Sequence, residues 1–348
     1  MGGAAETGRA IPRGAAPGLT GTVRPVRSVI CRTYGEPEAL VVEDGPEPAP
    51  EAGEVAVRVG AAAVNFPDVL LVANKYQVSI PTPFVPGSEF AGEVLAVGDG
   101  VDSLRVGDRV FGAMMAGAFA EVLCLPAERL MRVPTGAALT DAAAFWVAYA
   151  TAFHALRASA GVRKGETVLV LGAAGGVGLA SVDLAKLFGA TVIAAASSPD
   201  KLAVCVERGA DEAIDYGTNG LREPLRAVAP RGADVVIDPV GGDLAEQALR
   251  GLALGGRYVV VGFASGQIPK LPANLILLKS ARIVGLEMRS FAEVAPEAKA
   301  RGEAELLDLL AAGRVRPHIG ATYPLSETPA ALRLMADRKA TGKVLIVP

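Results

Sequence analysis

The chain has 348 residues, long enough for two domains rather than one small core. Hydrophobic residues make up 51% of it and aromatic ones only 5%, so a sizeable interior has to be filled by Ala, Val and Leu. A net charge of −3 leaves no basic footprint for nucleic acid, and three scattered cysteines, Cys31, Cys124 and Cys205, argue against a disulfide framework and for a reducing compartment, the cytoplasm.

Residues 1–27 stand apart. MGGAAETGRAIPRGAAPGLTGTVRPVR carries Arg9, Arg13, Arg24 and Arg27 against Glu6 alone, among many Gly and Pro. A transit peptide is Arg-rich and acid-poor but forms an amphipathic helix, which Gly14, Pro17, Gly18 and Gly21 would break. The segment reads as a disordered leader, or as translation from an upstream start codon. Across 28–150, short runs over 29–32, 39–43, 54–60, 89–98 and 109–111 are bounded by Gly and Pro, the pattern of a β-rich lobe. Turns fall at Gly98-Asp99-Gly100 and Val106-Gly107-Asp108.

From Thr151 the texture changes. Strands over 167–171, 191–196, 213–216, 234–237, 257–262 and 282–286 alternate with helical runs such as 178–188 and 199–208. Bare apolar strands separated by helices predict a doubly wound parallel sheet, covered on both faces, over 151–291. A helix over 303–312 and a strand over 343–347 are too little to fold alone, so 292–348 is expected to return to the first lobe. No apolar run is long enough to span a bilayer.

The sharpest local motif is VLVLGAAGGVGLASVDLAKLFGA. A strand runs into Gly172, and Ala173-Ala174-Gly175-Gly176-Val177-Gly178 opens a helix. Small residues let the backbone approach a pyrophosphate, and the helix start supplies unpaired N–H groups and a positive dipole end. The strand before and the helix after distinguish this from a simple tight turn. An NAD site wants a carboxylate at the tip of the second strand, for the ribose 2′-hydroxyl. This strand ends Ala196-Ser197-Ser198-Pro199-Asp200-Lys201, where two hydroxyls and a lysine suit a 2′-phosphate and hence NADPH. The competing reading makes Ser197, Ser198 and Asp200 helix caps and Lys201 a solvated charge.

With these features in hand, an ordered set of motifs becomes informative: GEPEALVVED, AAAVNFPDVLL, VPGSEFAGEVLAVG, VGDRVFG, AAGGVG, VIDPVGGD and TGKVLIVP. Over nearly everything but the leader, the chain resembles the medium-chain dehydrogenase/reductase superfamily, and within it the zinc-free NADPH:quinone oxidoreductases. The resemblance implies an α/β fold, a GroES-like β-rich catalytic domain built from both chain ends around an inserted Rossmann domain, with the active site in the cleft. It implies homodimers paired through Rossmann sheet edges, here the strand at 282–286. It also implies that Asn65, Ser88 and about Val147 stand where the zinc dehydrogenases present Cys, His and Cys, a set lacking the N and S donors zinc demands. Without a Lewis acid, the expected substrate is intrinsically electrophilic, a quinone or an α,β-unsaturated carbonyl.

Candidate site residues follow from the same comparison. Asn65 could donate to a substrate carbonyl, or be only the turn residue ahead of Pro67. Tyr76 matches the tyrosine of the related enoyl-thioester reductases and could donate a proton; as an alternative it is an amphipathic aromatic at a loop edge. Cofactor contacts are expected from Thr151, from Ala174, Gly175, Gly176 and Val177, from Ser197, Lys201 and Tyr216 around the 2′-phosphate, and from Val240, Gly241, Gly262 and Phe263 at two later strand ends. Ser88 could line the pocket, Asp68 and Glu89 read as structural acids, and His154 as a core or helix-surface residue. Two alternatives stay open: an enoyl-thioester reductase relying on Tyr76, and a nucleotide-binding sensor or interaction protein without catalysis. No metal is expected.

Overall fold

A computed structural model describes residues 25–348. The leader proposed for 1–27 lies outside the described residues up to Arg24; its last three residues do not belong to it. Pro25–Ile30 forms β1, pairing antiparallel with β2 (Val41–Pro46), with Val26 buried and the Arg27 N–H donating to Glu121 Oε2 at 2.8 Å. Val26 and Val29 give this segment an apolar face to pack with its partner strand.

Contacts divide the described residues into two compact units, 25–146 with Ile319–Pro348, and Val147–His318. The first unit continues with β3 (Glu54–Val64), α1 (Phe66–Val72), β4 (Glu89–Val97), β5 (Arg109–Ala113), β6 (Val122–Pro126), β7 (Leu130–Arg132) and α2 (Leu139–Ala143). β3 is the hub of its seven-stranded sheet, bonding β4, β6 and the C-terminal strand. Alternating small and branched residues on β3 (Val55, Val57, Val59, Ala62, Val64) pack with Phe90, Val110, Phe119 and Leu125 in one core.

α3 (Trp146–His154) carries the chain into the second unit and runs on as a π-helical turn, Ala155–Ser159. Then come β8 (Thr167–Leu171), α4 (Gly176–Leu187), β9 (Thr191–Ala196), α5 (Pro199–Glu207), β10 (Glu212–Asp215), α6 (Tyr216–Asn219), α7 (Arg222–Val228), β11 (Ala233–Asp238), α8 (Asp243–Arg250), β12 (Leu252–Val260), α9 (Ala273–Lys279), β13 (Arg282–Gly285), α10 (Met288–Val294) and α11 (Pro296–Ala311). Its six strands are all parallel and ordered β10-β9-β8-β11-β12-β13. That order reverses direction between β8 and β11, the crevice where doubly wound sheets bind ligands at the carboxyl ends of their strands. β8, β9 and β11 are buried almost throughout, as a sheet covered on both faces requires.

The return to the first unit comes later than residue 292. α11 stays with the second unit, where Gly302 lies so close to His154 that a Cβ there would sit 2.6 Å from Cε1, and Leu306 and Leu310 are buried. Only β14 (Ile319–Pro324), α12 (Thr328–Ala336) and β15 (Lys343–Val347) return to the first unit, the two strands joining its sheet with β15 antiparallel to β3. Among the described residues no helix is long and apolar enough to cross a membrane.

Candidate active site

In the second unit, two loops leave adjacent strand ends at the reversal point. Gly172 holds φ +56 as β8 ends, and a Cβ on it would come within 2.7 Å of Val240. At Gly178 a Cβ would lie 2.3 Å from the Gly172 carbonyl oxygen and 2.6 Å from that of Ala173. Only glycine lets the first turn of α4 press this tightly against the strand end. Ala174 is buried, while Gly175, Gly176 and Val177 are partly open, with Gly175 the N-cap. The loop therefore presents bare backbone beside a helix start, a cradle that any larger side chain at Gly178 would fill.

The second loop is shaped by a buried carboxylate. Asp238, ending β11, accepts from the Val240 and Gly241 N–H groups at 2.8 Å each through Oδ1, and from the Tyr258 hydroxyl at 2.6 Å through Oδ2. Burial pushes its carboxyl above the ordinary range, opposed by the Tyr258, Gly241 and Val240 donors. Gly241 and Gly242 then take φ +68 and +61, turning the backbone across the crevice. Gly262 and Phe263 follow β12 and are partly exposed, and the Phe263 ring would meet a Cβ on Gly241 at 3.0 Å. Val240, Gly241, Gly262 and Phe263 are thus brought together.

At the tip of β9, Lys201 Nζ lies 3.5 Å from Ser197 Oγ, one helical turn away. Gly217, next to Tyr216, packs on the Ser197 backbone so closely that a Cβ would approach its carbonyl oxygen to 2.5 Å. Ser197 and Lys201 thus meet at the β9 tip with the backbone after Tyr216 packed beside them, while the Tyr216 side chain rests against the core of the unit. Tyr216 begins the short α6 rather than ending a strand, because Asp215 caps that helix by accepting from the Gly217 N–H at 2.8 Å. Thr151 lies on α3 with its hydroxyl donating to the Val147 carbonyl at 2.6 Å, leaving only its lone pairs for a ligand.

The first unit holds a buried polar cluster that four segments build. Asn65 follows β3 and caps α1; its N–H donates to Asp68 Oδ2 at 2.7 Å. The antiparallel registers place Ala63 against Glu89, and Val64 against Val344, so Glu89 and Lys343 flank Asn65. Lys343 Nζ donates to Asn65 Oδ1 at 2.6 Å and to Glu89 Oε2 at 2.8 Å, and Asn65 Nδ2 donates to Glu89 Oε2 and Ser88 Oγ, both at 3.2 Å. Asp68 and Glu89 are fully buried, Lys343 is 3% exposed and Asn65 7%; Ser88 alone of the five reaches the surface. Asp68 Oδ1 has no hydrogen-bond partner. Burial raises this carboxyl to about 7, while the Asn65 N–H, the Ser88 hydroxyl and the Lys343 charge pull it down and Glu89 pushes it further up. Tyr76 lies beyond α1 in a loop, half-buried against the lobe's core.

Other titratable candidates sit away from both places. His154 is 1% exposed with Nε2 unpartnered, and burial lowers its pKa to about 4. Burial lifts the Cys31 thiol to about 11 and Cys205 to about 12, which leaves neither as a thiolate nucleophile.

This geometry can be set beside known proteins. Residues 51–135 match the alcohol dehydrogenase GroES-like domain, and residues 176–301 the zinc-binding dehydrogenase domain. The quinone oxidoreductase-like protein 2 homolog of Nematostella vectensis is 39% identical over 327 residues, covering 92% of this chain and 88% of that protein. The chain belongs to the quinone oxidoreductase family of the medium-chain dehydrogenase/reductase superfamily. Among solved structures, Escherichia coli quinone oxidoreductase complexed with NADPH superposes with a TM-score of 0.84 at 28% identity, covering 92% of this chain and all of that one. A mycobacterial protein complexed with NADPH gives 0.85 at 31% identity, over 93% and 100% of the two chains.

Within this family member, two site-shaping residues escaped sequence reasoning. Lys343 is 278 positions from Asn65, and nothing local in TGKVLIVP distinguishes a buried cation from a solvated one. Asp238 did have a signal: an acid closing the apolar run VVID must find donors once its strand is interior.

Proposed function

We propose that this chain is an NADPH-dependent reductase that transfers hydride to a quinone or an α,β-unsaturated carbonyl without zinc. The observation that carries the reading is the corner at the β9 tip. Lys201 Nζ lies 3.5 Å from Ser197 Oγ there, and residues 196–199 at the end of β9, where an NAD site wants its carboxylate, carry none; the neighbouring Asp215 carboxylate accepts from the Gly217 N–H instead. The glycine cradle at 172–178 fits a pyrophosphate, and the loops at Val240–Gly241 and Gly262–Phe263 suit the nicotinamide half. When bound, NADPH supplies the hydride. The chain's own work is to bind it, orient it and provide hydrogen-bond donors to the oxyanion that forms on the acceptor.

Zinc does not suit the first-unit cluster. Asn65 and Ser88 offer an amide and a hydroxyl, and the Lys343 ammonium already fills the position beside Asn65 Oδ1 and Glu89 Oε2, where it would repel a dication. Among the described residues no group of three His, Cys, Asp or Glu could hold a metal ion. Asn65 spends its amide hydrogens inside the cluster, so Ser88 is the donor best placed for substrate, with Asn65 behind it. A cytoplasmic location and pairing through the β13 edge remain parts of the same proposal.

Paired titrations test the assignment. NADPH should bind at least about tenfold more tightly than NADH, and Lys201→Ala should remove about 1.4 kcal/mol of that preference. Benzoquinone should oxidise bound NADPH faster than crotonyl-CoA does. Equal affinity for both cofactors would overturn the cofactor assignment, and Tyr76-dependent turnover of crotonyl-CoA alone would favour the enoyl-thioester reading.

A further inference from the structure

The strand ends opposite the glycine turn carry a hollow that hydride transfer leaves unused. β11 and β12 start side by side there, at Ala233 and Leu252, with α7, the end of α8 and the end of α9 around them. The hollow measures about 340 Å³ and is lined by five cations, Arg222, Arg226, Arg231, Arg250 and Lys279; among the described residues that line it, none is acidic. We propose that it is a binding site, within the second unit and separate from the cofactor loops, for an organic ligand that carries two or more phosphate groups.

Close packing gives the hollow its shape. The Leu221 N–H donates to Gln247 Oε1 at 3.0 Å, which fixes the start of α7 on α8 and sets Arg222 beside that helix. Leu225 lies over Gly251, where a Cβ would come within 2.2 Å of its Cδ2, and a Cβ on Gly232 would lie 2.6 Å from the Ala253 nitrogen. The Ala233 N–H donates to the Gly251 carbonyl at 2.9 Å. From α9, Lys279 Nζ donates to the Leu252 carbonyl at 2.5 Å, and its remaining hydrogens are available to a ligand. Leu225 and Leu252 are buried beneath, while the four arginines are exposed around them.

The charge gathered here runs against the composition of the chain. Acidic residues outnumber basic ones overall, 37 to 34, yet this hollow takes cations alone. Arg222 and Arg226 stand four apart on α7, a spacing at which like charges repel. Glu246 compensates Arg250 at 2.6 Å, and Glu223 reaches Arg222 only at 4.0 Å. Among the described residues no ion pair compensates Arg226 or Arg231. A guanidinium grips phosphate through paired N–H groups, and a diphosphate spreads its charge over enough oxygens to engage several of them at once. Leu225, Leu252 and Leu275 offer the organic part of the ligand an apolar surface.

A neighbouring hollow of about 570 Å³ shares Arg222 and Arg250 and adds Lys270, but Asp243 and Glu246 line it as well. Their carboxylates oppose an anion, so the phosphates belong at the strand starts. The cofactor loops leave the other ends of the same strands, after Asp238 and Val260, and the two sites can be filled together.

Calorimetric titration of inorganic pyrophosphate into the NADPH-saturated full chain tests the site, because NADPH then occupies the glycine turn. A parallel arm, sedimentation with phosphatidylcholine vesicles with and without phosphatidic acid, separates a free phosphate ligand from a lipid headgroup. Pyrophosphate should bind, and Arg226→Glu combined with Arg231→Glu should weaken it at least about tenfold with NADPH affinity unchanged. Arg226→Gln combined with Arg231→Gln should move affinity the same way, and serves where charge reversal lowers the melting temperature. Sedimentation with phosphatidic acid vesicles, abolished by the same substitutions, would support the site and assign its phosphate to a headgroup. Failure of both probes to bind, or binding that both variants leave unchanged, would overturn the site and leave the reductase assignment standing.

Discussion

At the scale of single residues, the sites depend on groups whose surroundings forbid substitution. Gly178 admits no side chain because the Gly172 and Ala173 carbonyls occupy the space. His154 shows the reverse situation, a polar group that the interior tolerates only uncharged. Desolvation lowers its pKa to about 4, with the Lys299 charge adding to the effect, from an ordinary 6.5. The unfolded chain therefore binds a proton between pH 6.5 and 4 that the folded chain refuses. Stability from this site is complete above pH 6.5 and declines as pH falls through that window, by at most about 1.4 kcal/mol per pH unit. Denaturant titrations at pH 7 and pH 5 should show a smaller loss in His154→Leu than in wild type; parallel losses would contradict this.

Residue identity made the tight glycine turn legible in advance, since Gly172 to Gly178 sits between an apolar strand and a helix. The buried cluster was legible only in halves. Asn65, Asp68, Ser88 and Glu89 stand in two short motifs, but their union with Lys343 depends on β15 pairing with β3, a contact across 278 residues that no local pattern encodes. Sequence reasoning offered Asn65 to the substrate; in the fold its amide hydrogens bond Ser88 and Glu89.

At the scale of elements, strand limits were clearest where an apolar run meets a breaker. β8 and β9 start and stop where their runs do, at Gly172 and Ser197. β12 begins at Leu252 rather than 257, because Gly255 and Gly256 read as a turn but are absorbed in a register shift against β11. The β11–β12 pair also carries the Asp238–Tyr258 bond that sets the Val240–Gly242 loop. Tyr258→Phe leaves a buried carboxyl oxygen without its donor and should cost about 1–3 kcal/mol in stability. Denaturation midpoints and NADPH affinity measure it, and both should fall; an unchanged midpoint would mean that the hydroxyl is not holding the loop.

At the scale of the whole molecule, each unit has its own core, and the division of labour follows. The second unit holds the tight glycine turn at a strand end, the first a buried polar cluster with half-buried Ser88 at its margin. α11 was expected with the first lobe because a lone late helix has no evident partner in sequence; its buried Gly302, Leu306 and Leu310 assign it to the second. β13 ends the parallel sheet with an unpaired edge, near Leu277 and Leu278, which are 79% and 71% exposed. Such an edge suits a second copy. Light scattering should give a dimer that Val284→Lys converts to monomer; a monomeric wild type at micromolar concentration would contradict it.

We propose that hydride reaches an electrophilic acceptor without a metal, since Asn65 and Ser88 offer an amide and a hydroxyl and the Lys343 ammonium bonds Asn65 and Glu89 beside them. The most direct test is single-turnover oxidation of NADPH by benzoquinone before and after exhaustive chelation, with metal content measured in both samples. The account predicts an unchanged rate in metal-free protein. A rate lost on chelation and restored by stoichiometric Zn²⁺ would contradict it.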